Sequence, residues 1–257
     1  MKILNGSELA GFIKERQAAM VRAMDRAPKL LIIRDSDNPV ILKYVDLKKR
    51  YGDDIGVHVE DFKASSVAEI QGRIAEANAD VDIDGIIVQL PIADVDATDE
   101  VVSLIAPSKD VDGLSGAGDY DSATATAILW LLSGYDIDLA SKRIAIVGRG
   151  RLVGMPLYKM FTDSGLDVTL FHRGDDLNAL RDYDVIITAT GVPGLIKSDM
   201  VAPGAVVVDA GTASEDGALV GDVDIAVRER TDLTAITPLV GGVGPLTISC
   251  LFEHVIG

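Results

Sequence analysis

Tyr44 and Lys48 stand one helical turn apart, so a helix through them shows a phenol and an amine on one face. An amine whose pKa is lowered can activate a water or shuttle a proton near neutral pH. Gln89, followed by Leu90-Pro91, closes an apolar run, at the strand end where open α/β sheets bind ligands. An amide there can hold an amine in place without neutralising it. Lys109-Asp110-Val111-Asp112-Gly113 reads as a polar turn that brings the Asp112 carboxylate to the edge of a stretch rich in Gly, Ser and Asp. Each feature alone also has a plain structural reading. Tyr44 and Lys48 continue into Lys49 and Arg50, which read as a solvated face; Gln89 can close a strand; Asp112 can brace a turn.

A second constellation concerns phosphate. Residues 143–147 run into Gly148-Arg149-Gly150-Arg151-Leu152-Val153-Gly154, then Met155-Pro156 and an amphipathic stretch. Glycines let a backbone approach a pyrophosphate, and the helix behind them offers unpaired N–H groups and a positive dipole end. Gly150 and Gly154 stand one residue farther apart than the dinucleotide fingerprint prescribes, so this is a variant of it. The next strand ends at His172-Arg173. An arginine there, with Arg149 inside the turn, suits a 2′-phosphate, so the cofactor expected is NADP rather than NAD. Asp175-Asp176 are the counter-signal, and they read better as a cap for residues 177–180.

These groups need elements to position them. Short β-branched runs at 30–33, 57–62 and 85–89 alternate with helix-like stretches, one opened by Asn38-Pro39 and one by the capping-box spacing of Ser66 and Glu69. The pattern restarts with runs at 144–147, 168–171, 185–189 and 205–209. Strands alternating with helices predict an α/β fold with largely parallel sheets. Residues 113–122 form the natural boundary, and the last helix, 245–256, follows the Gly241–Pro245 turn. The domains expected are 1–116, with the helix of 245–257 packing back, and a dinucleotide-binding domain over 117–244, with the active site in the cleft between them.

Of the 257 residues 48% are hydrophobic, enough for a sizeable core. No apolar run approaches a membrane span, and residues 1–10 lack the build of a signal peptide, so a cytoplasmic location is expected. The single cysteine, Cys250, excludes an intramolecular disulfide framework, and His58, His172 and His254 lack ligand spacing, so no metal is expected. A formal net charge of -16 argues against nucleic acid and anionic membrane as partners. It also means that a phosphate-bearing ligand must find a local basic pocket.

Read in order, Tyr44-Val45-x-x-Lys48, Gly85-Ile86-Ile87-Val88-Gln89-Leu90-Pro91, Lys109-Asp110-Val111-Asp112-Gly113, Gly148-Arg149-x-x-x-Val153-Gly154-x-Pro156 and Thr237-Pro238-x-x-Gly241-Gly242-Val243-Gly244-Pro245 resemble the bifunctional methylenetetrahydrofolate dehydrogenase/cyclohydrolase family. Ile3-Leu4-Asn5-Gly6, residues 204–211 and Val220-Gly221-Asp222-Val223-Asp224 are similar too. The resemblance keeps motif order along nearly the whole chain.

It implies an N-terminal α/β/α folate-binding domain and a Rossmann-like NADP-binding domain. It implies NADP-dependent oxidation of methylenetetrahydrofolate and hydrolysis of the methenyl product to formyltetrahydrofolate, in one-carbon metabolism and purine biosynthesis. Lys48 corresponds to the catalytic lysine, Tyr44 to the tyrosine beside it over the pterin, Gln89 to the glutamine that orients the lysine, and Asp112 to the pterin anchor. Leu90 and Pro91 fall on the substrate side, and Gly242, Val243, Gly244 and Pro245 on a loop where folate and nicotinamide meet. Gly148, Arg149, Gly150, Val153, Gly154, Pro156, His172, Arg173, Thr190, Gly191 and Thr124 are implied on the cofactor side, Arg149 and Arg173 at the 2′-phosphate. Family members are homodimers joined through the cofactor domain, which places residues 205–209 and the strand-like stretches near them at the contact.

Some positions depart from the family pattern. Ile41 stands where a serine is usual, Leu114-Ser115-Gly116 replaces an aromatic–His pair, and the loop to the next helix is shortened. Ser122-Ala123-Thr124-Ala125 replaces a Pro-Cys-Thr-Pro element, and Val240 replaces a proline. These positions bear on the balance of the two activities more than on the reaction class. The alternatives are an NADP-linked dehydrogenase of this fold with another substrate, or a non-catalytic nucleotide-binding module.

Overall fold

The computed structural model describes residues 1–211, 213–215 and 218–257. In chain order the elements are β1 (Lys2–Ile3), α1 (Gly6–Arg22), β2 (Lys29–Arg34), α2 (Pro39–Ile55), β3 (His58–Lys63), α3 (Val67–Ala79), β4 (Gly85–Val88), α4 (Thr98–Ser103) and α5 (Ala123–Gly134). There follow β5 (Arg143–Val147), α6 (Gly154–Asp163), β6 (Asp167–Phe171), β7 (Val185–Thr188), β8 (Val206–Asp209), β9 (Ala213–Glu215), β10 (Ala218–Val220), α7 (Ile225–Arg228), β11 (Ala235–Ile236) and α8 (Val243–Ile256). Two compact units result: Gly11–Ala123 with Ile248–Gly257, and Met1–Ala10 with Thr124–Thr247.

The first unit holds a three-stranded parallel sheet in the order β3-β2-β4. All four residues of β4 are buried, as are Leu30, Leu31, Ile32 and Ile33 of β2. Strands covered on both faces read as unbroken apolar runs. β3, at the sheet's edge, carries His58, Glu60, Asp61 and Lys63. Leu31, Ile33, Ile86 and Val88 pack in one cluster with Ile70 and Ile74 of α3. Helix α2 starts as its sequence dictates: the Asn38 side chain accepts from the Val40 amide at 2.9 Å, and Pro39 opens the first turn. At α3 Ser66 caps as expected, but the Glu69 carboxylate reaches past it to the Ser65 amide at 2.7 Å.

The second unit is built on a six-stranded sheet, β1-β11-β8-β7-β5-β6, with every pairing parallel. Chain order reverses beside β5, with β6 on one side and β7 on the other. That is the switch point where such sheets bind ligands. The first ten residues belong here and not with the first sheet, because β1 pairs with β11 through Lys2 and Ile3. Two-residue strands carry no periodicity, so the sequence does not announce this. The expected dimer contact at 205–209 also needs correction. That run is buried within the single chain and β8 is paired on both sides, so it presents no free edge to a second copy.

Candidate active site

Helix α2 buries Ile41, Val45, Gly52 and Ile55 along one stripe, and Lys48 falls in the same stripe. A helix face made apolar by its neighbours carries the lysine inward, where burial, not solvation, decides its charge. Tyr44, one turn earlier, is half-buried. The Lys48 amine donates to Gln89 Oε1 at 2.6 Å. Gln89 is placed by β4, whose last residue is Val88, and its own amide is held by the Leu90 carbonyl at 3.3 Å. Burial pushes the Lys48 amine below the ordinary lysine range, against the pull of the nearby Asp112 carboxylate. The same burial pushes Asp112 up, against the pull of Lys48. Lys48, Gln89 and Asp112 thus gather within one unit, with desolvation outweighing their mutual attraction.

The turn that carries Asp112 is tightly built. Asp110, fully buried, accepts from the amides of Leu114 at 3.3 Å and Ser115 at 2.8 Å. Gly113 adopts a φ of 67°, and a Cβ there would lie 2.5 Å from the Asp121 carbonyl, so only glycine fits. Ile41 is buried in the core of this unit, and Leu90 and Pro91, joined by a cis peptide, follow Gln89.

In the second unit the glycine-rich turn leaves β5 at the switch point. A Cβ on Gly154 would lie 1.9 Å from the Gly148 carbonyl oxygen, while one on Gly150 would meet nothing within 4 Å. The turn is therefore folded tightly on itself at Gly154, where helix α6 begins, yet open at Gly150, four residues earlier. This is a fit for a pyrophosphate on a helix N-terminus. Val153 precedes the helix and Pro156 lies in its first turn. Gly148 also abuts the loop after β7: its Cβ would lie 2.6 Å from the Ala189 carbonyl, with Thr190 and Gly191 next in the chain. Thr124 lies in the first turn of α5.

Arg149 and Arg173 are exposed, and neither has an ion-pair partner among the described residues. His172 is occupied. Its amide donates to Asp175 at 2.7 Å and its ring lies 3.3 Å from the same carboxylate. The cap of residues 177–182 is Asp176, which accepts from the Asn178 amide, so the expected capping role of the acidic pair falls to Asp176 alone. Val243, Gly244 and Pro245 open α8 and do not form a loop before it. Proline is tolerated there because the first amides of a helix have no partner within it. A Cβ on Gly6 would lie 1.8 Å from the Gly242 carbonyl, and Ser7 donates its amide to Gly241, which explains why both glycine motifs occur together.

A buried polar network escaped the sequence reading. Asp209, at the end of β8, accepts from the amides of Gly211, Asp222 and Val223 and forms an ion pair with Arg228. Arg228 donates onward to the Thr237 carbonyl at 2.7 Å. Asp222 accepts from the Thr188 hydroxyl at 2.7 Å and the Thr190 amide at 2.6 Å. Residues 204–211, 220–224 and Thr237 are thereby a scaffold behind the loop after β7. The sequence signal for it was the likeness of residues 204–211 and 220–224 to the family pattern.

Comparison with known proteins gives a consistent answer. Residues 4–112 match the family model for the tetrahydrofolate dehydrogenase/cyclohydrolase catalytic domain, and residues 122–257 match that for the NAD(P)-binding domain. The bifunctional protein FolD of Lacticaseibacillus casei is 39% identical over 247 residues, covering 90% of this chain and 87% of the relative. The crystal structure of the bifunctional enzyme FolD from Campylobacter jejuni matches with a TM-score of 0.92 at 33% identity, over 100% of this chain and 97% of that one. A Trypanosoma brucei FolD structure, complexed with NADP cofactor and inhibitor, matches with a TM-score of 0.91 at 26% identity, over 98% and 95% of the two chains.

Proposed function

The chain belongs to the tetrahydrofolate dehydrogenase/cyclohydrolase family, and on that premise we propose how its own residues carry the two reactions. It oxidises methylenetetrahydrofolate with NADP and hydrolyses the methenyl product to formyltetrahydrofolate. The observation that carries the residue assignment is the grouping of Lys48, Gln89 and Asp112 in one unit, with the lysine amine depressed by burial.

NADP, when bound, supplies the acceptor for the hydride of the first step. The chain's part in that step is placement: the turn from Gly148 to Gly154 receives the pyrophosphate, and Arg149 and Arg173 meet the 2′-phosphate. Asp112 anchors the pterin, Tyr44 lies over it, and Leu90 and Pro91 border it. In the hydrolytic step Lys48 acts at Nζ. With its pKa lowered, the amine takes one proton from the water as its oxygen bonds to the methenyl carbon, and returns it to the ring nitrogen as that carbon–nitrogen bond breaks, while the remaining hydroxyl proton leaves to solvent as the formyl carbonyl forms. Gln89 accepts from Nζ and so fixes the direction of the amine without adding a charge. A carboxylate at that position would favour the ammonium and remove the base.

The test is a spectroscopic assay of each step, with NADPH formation followed for the first and loss of the methenyl chromophore for the second. Lys48→Met should lower the cyclohydrolase rate by about two to four decades, the span general acid–base catalysis supplies, with NADP binding unchanged. A variant that retains the full hydrolytic rate would remove Lys48 from the mechanism. The enzyme is further proposed to work in the cytoplasm, supplying one-carbon units to purine biosynthesis, and to act as a homodimer through a surface other than 205–209. Light scattering at micromolar concentration should give twice the chain mass; a monomer would overturn the assembly.

A further inference from the structure

His254, in the last turn of α8, belongs to none of the family-implied positions, yet it reaches the Asp112 turn from the far end of the chain. Its Nδ1 lies 2.8 Å from the Val111 carbonyl oxygen, so Nδ1–H donates. That tautomer leaves Nε2 as an acceptor, 3.6 Å from Cys250 Sγ. The imidazole is covered by the Tyr120 ring, with centroids 4.5 Å apart and planes inclined by 14°. Tyr120 comes from the short loop between the Asp-Gly turn and α5.

The Val111 carbonyl is part of the peptide plane that ends in the Asp112 nitrogen. The plane on the other side is also held, since the Asp112 carbonyl accepts from the Ala123 amide at 3.3 Å. With both planes fixed, the Cα–Cβ direction of Asp112 is fixed as well. The docking is close-packed beneath: a Cβ on Gly85 would lie 2.8 Å from Val111 and 3.1 Å from Val255, the residue after His254.

We propose that His254, stacked on Tyr120, is a positioning residue for folate binding: by holding the Val111 carbonyl it aims the Asp112 carboxylate at the pterin. The proposal rests on the assignment of Asp112 as the pterin anchor. An anchor that binds substrate and transition state alike affects KM and leaves kcat in place.

Three variants separate positioning from general support. His254→Phe keeps a ring against Tyr120 and loses the donor. His254→Asn keeps an N–H donor near the Nδ1 position and loses the ring. Tyr120→Leu removes the cover alone. Methenyltetrahydrofolate hydrolysis is measured for KM and kcat, and NADP binding by titration. His254→Phe should raise KM for the folate about tenfold or more, as a displaced group in a site does, with kcat within about twofold and NADP affinity unchanged. His254→Asn should recover most of the KM, and Tyr120→Leu should fall between. An unchanged KM in His254→Phe, or an Asn variant no better than Phe, overturns the proposal. A fall in kcat and NADP affinity together marks a structural role and overturns it too. Should the native enzyme fail to act on the folate at all, the functional reading fails first, and that result is visible before any variant is made.

Discussion

A charge can be recruited or silenced by its surroundings, and Lys48 shows how. The stripe of Ile41, Val45, Gly52 and Ile55 is legible from helical spacing, and the lysine within it is the anomaly. Such an anomaly in an apolar stripe marks a group whose burial is being used. Gln89 matters because it is neutral. Gln89→Glu would place a carboxylate within hydrogen-bond distance of Nζ, and an opposite charge there favours the ammonium. In the native enzyme the ascending limb of the cyclohydrolase pH–rate profile should lie below the ordinary lysine pKa of 10.5, because burial lowers the amine. In Gln89→Glu the limb should move to higher pH and the rate at neutral pH should fall. A profile that stays in place would show that Nζ is not the titrating base.

Elements were legible where their physics is local. The continuous runs of β2, β4, β5, β7 and β8 announce strands covered on both faces, and the caps of α2 and α3 announce helix starts. What the sequence withholds is long-range. β1 and β11 are too short for a pattern, and the Gly-Gly-Val-Gly-Pro segment reads as a turn although α8 begins within it. His254 and Val111 meet only because α8 docks there, and Asp209, Asp222 and Arg228 converge from segments that no spacing rule connects. That last network has a measurable weight. Burial pushes Asp209 up and Arg228 down, and their attraction opposes both shifts. Arg228→Met would leave the Asp209 carboxylate buried without its counter-ion, at a cost of about 3–5 kcal/mol at neutral pH. Because the folded-state pKa of Asp209 is raised, the folded form binds more protons than the unfolded one above pH 3.8. Stability of the variant should therefore recover as pH falls toward mild acid. Urea unfolding at two pH values checks both the size and the sign; a loss that grows on acidification would mean that the pair is not what holds the loop.

At the scale of the whole molecule a formal charge of -16 confronts a multiply anionic cofactor. Two effects of opposite sign act over different distances. The general field repels the cofactor across the surface and reaches about 30 Å at 0.01 M salt, about 10 Å at 0.1 M and about 3 Å at 1 M. The contacts proposed for Arg149 and Arg173 would act at bonding distance and survive until screening becomes nearly as short as a hydrogen bond. Raising salt from about 0.01 M to about 0.1 M should therefore remove repulsion before it weakens attraction. The expected result is that kcat/KM for NADP rises over that range and falls again toward molar salt. Arg173→Ala supplies the control. Losing one charge-assisted contact, worth roughly 1.5–3 kcal/mol before desolvation, should lower kcat/KM for NADP by about a decade or more. The rise at low salt should remain, because the net charge of the variant is no less negative, while the fall at high salt should flatten. NAD, which lacks the 2′-phosphate, should be indifferent to the substitution. A native curve that falls steadily from the lowest salt would show that the local arginines outweigh the global field at every distance, and that the acidic surface has no bearing on cofactor capture.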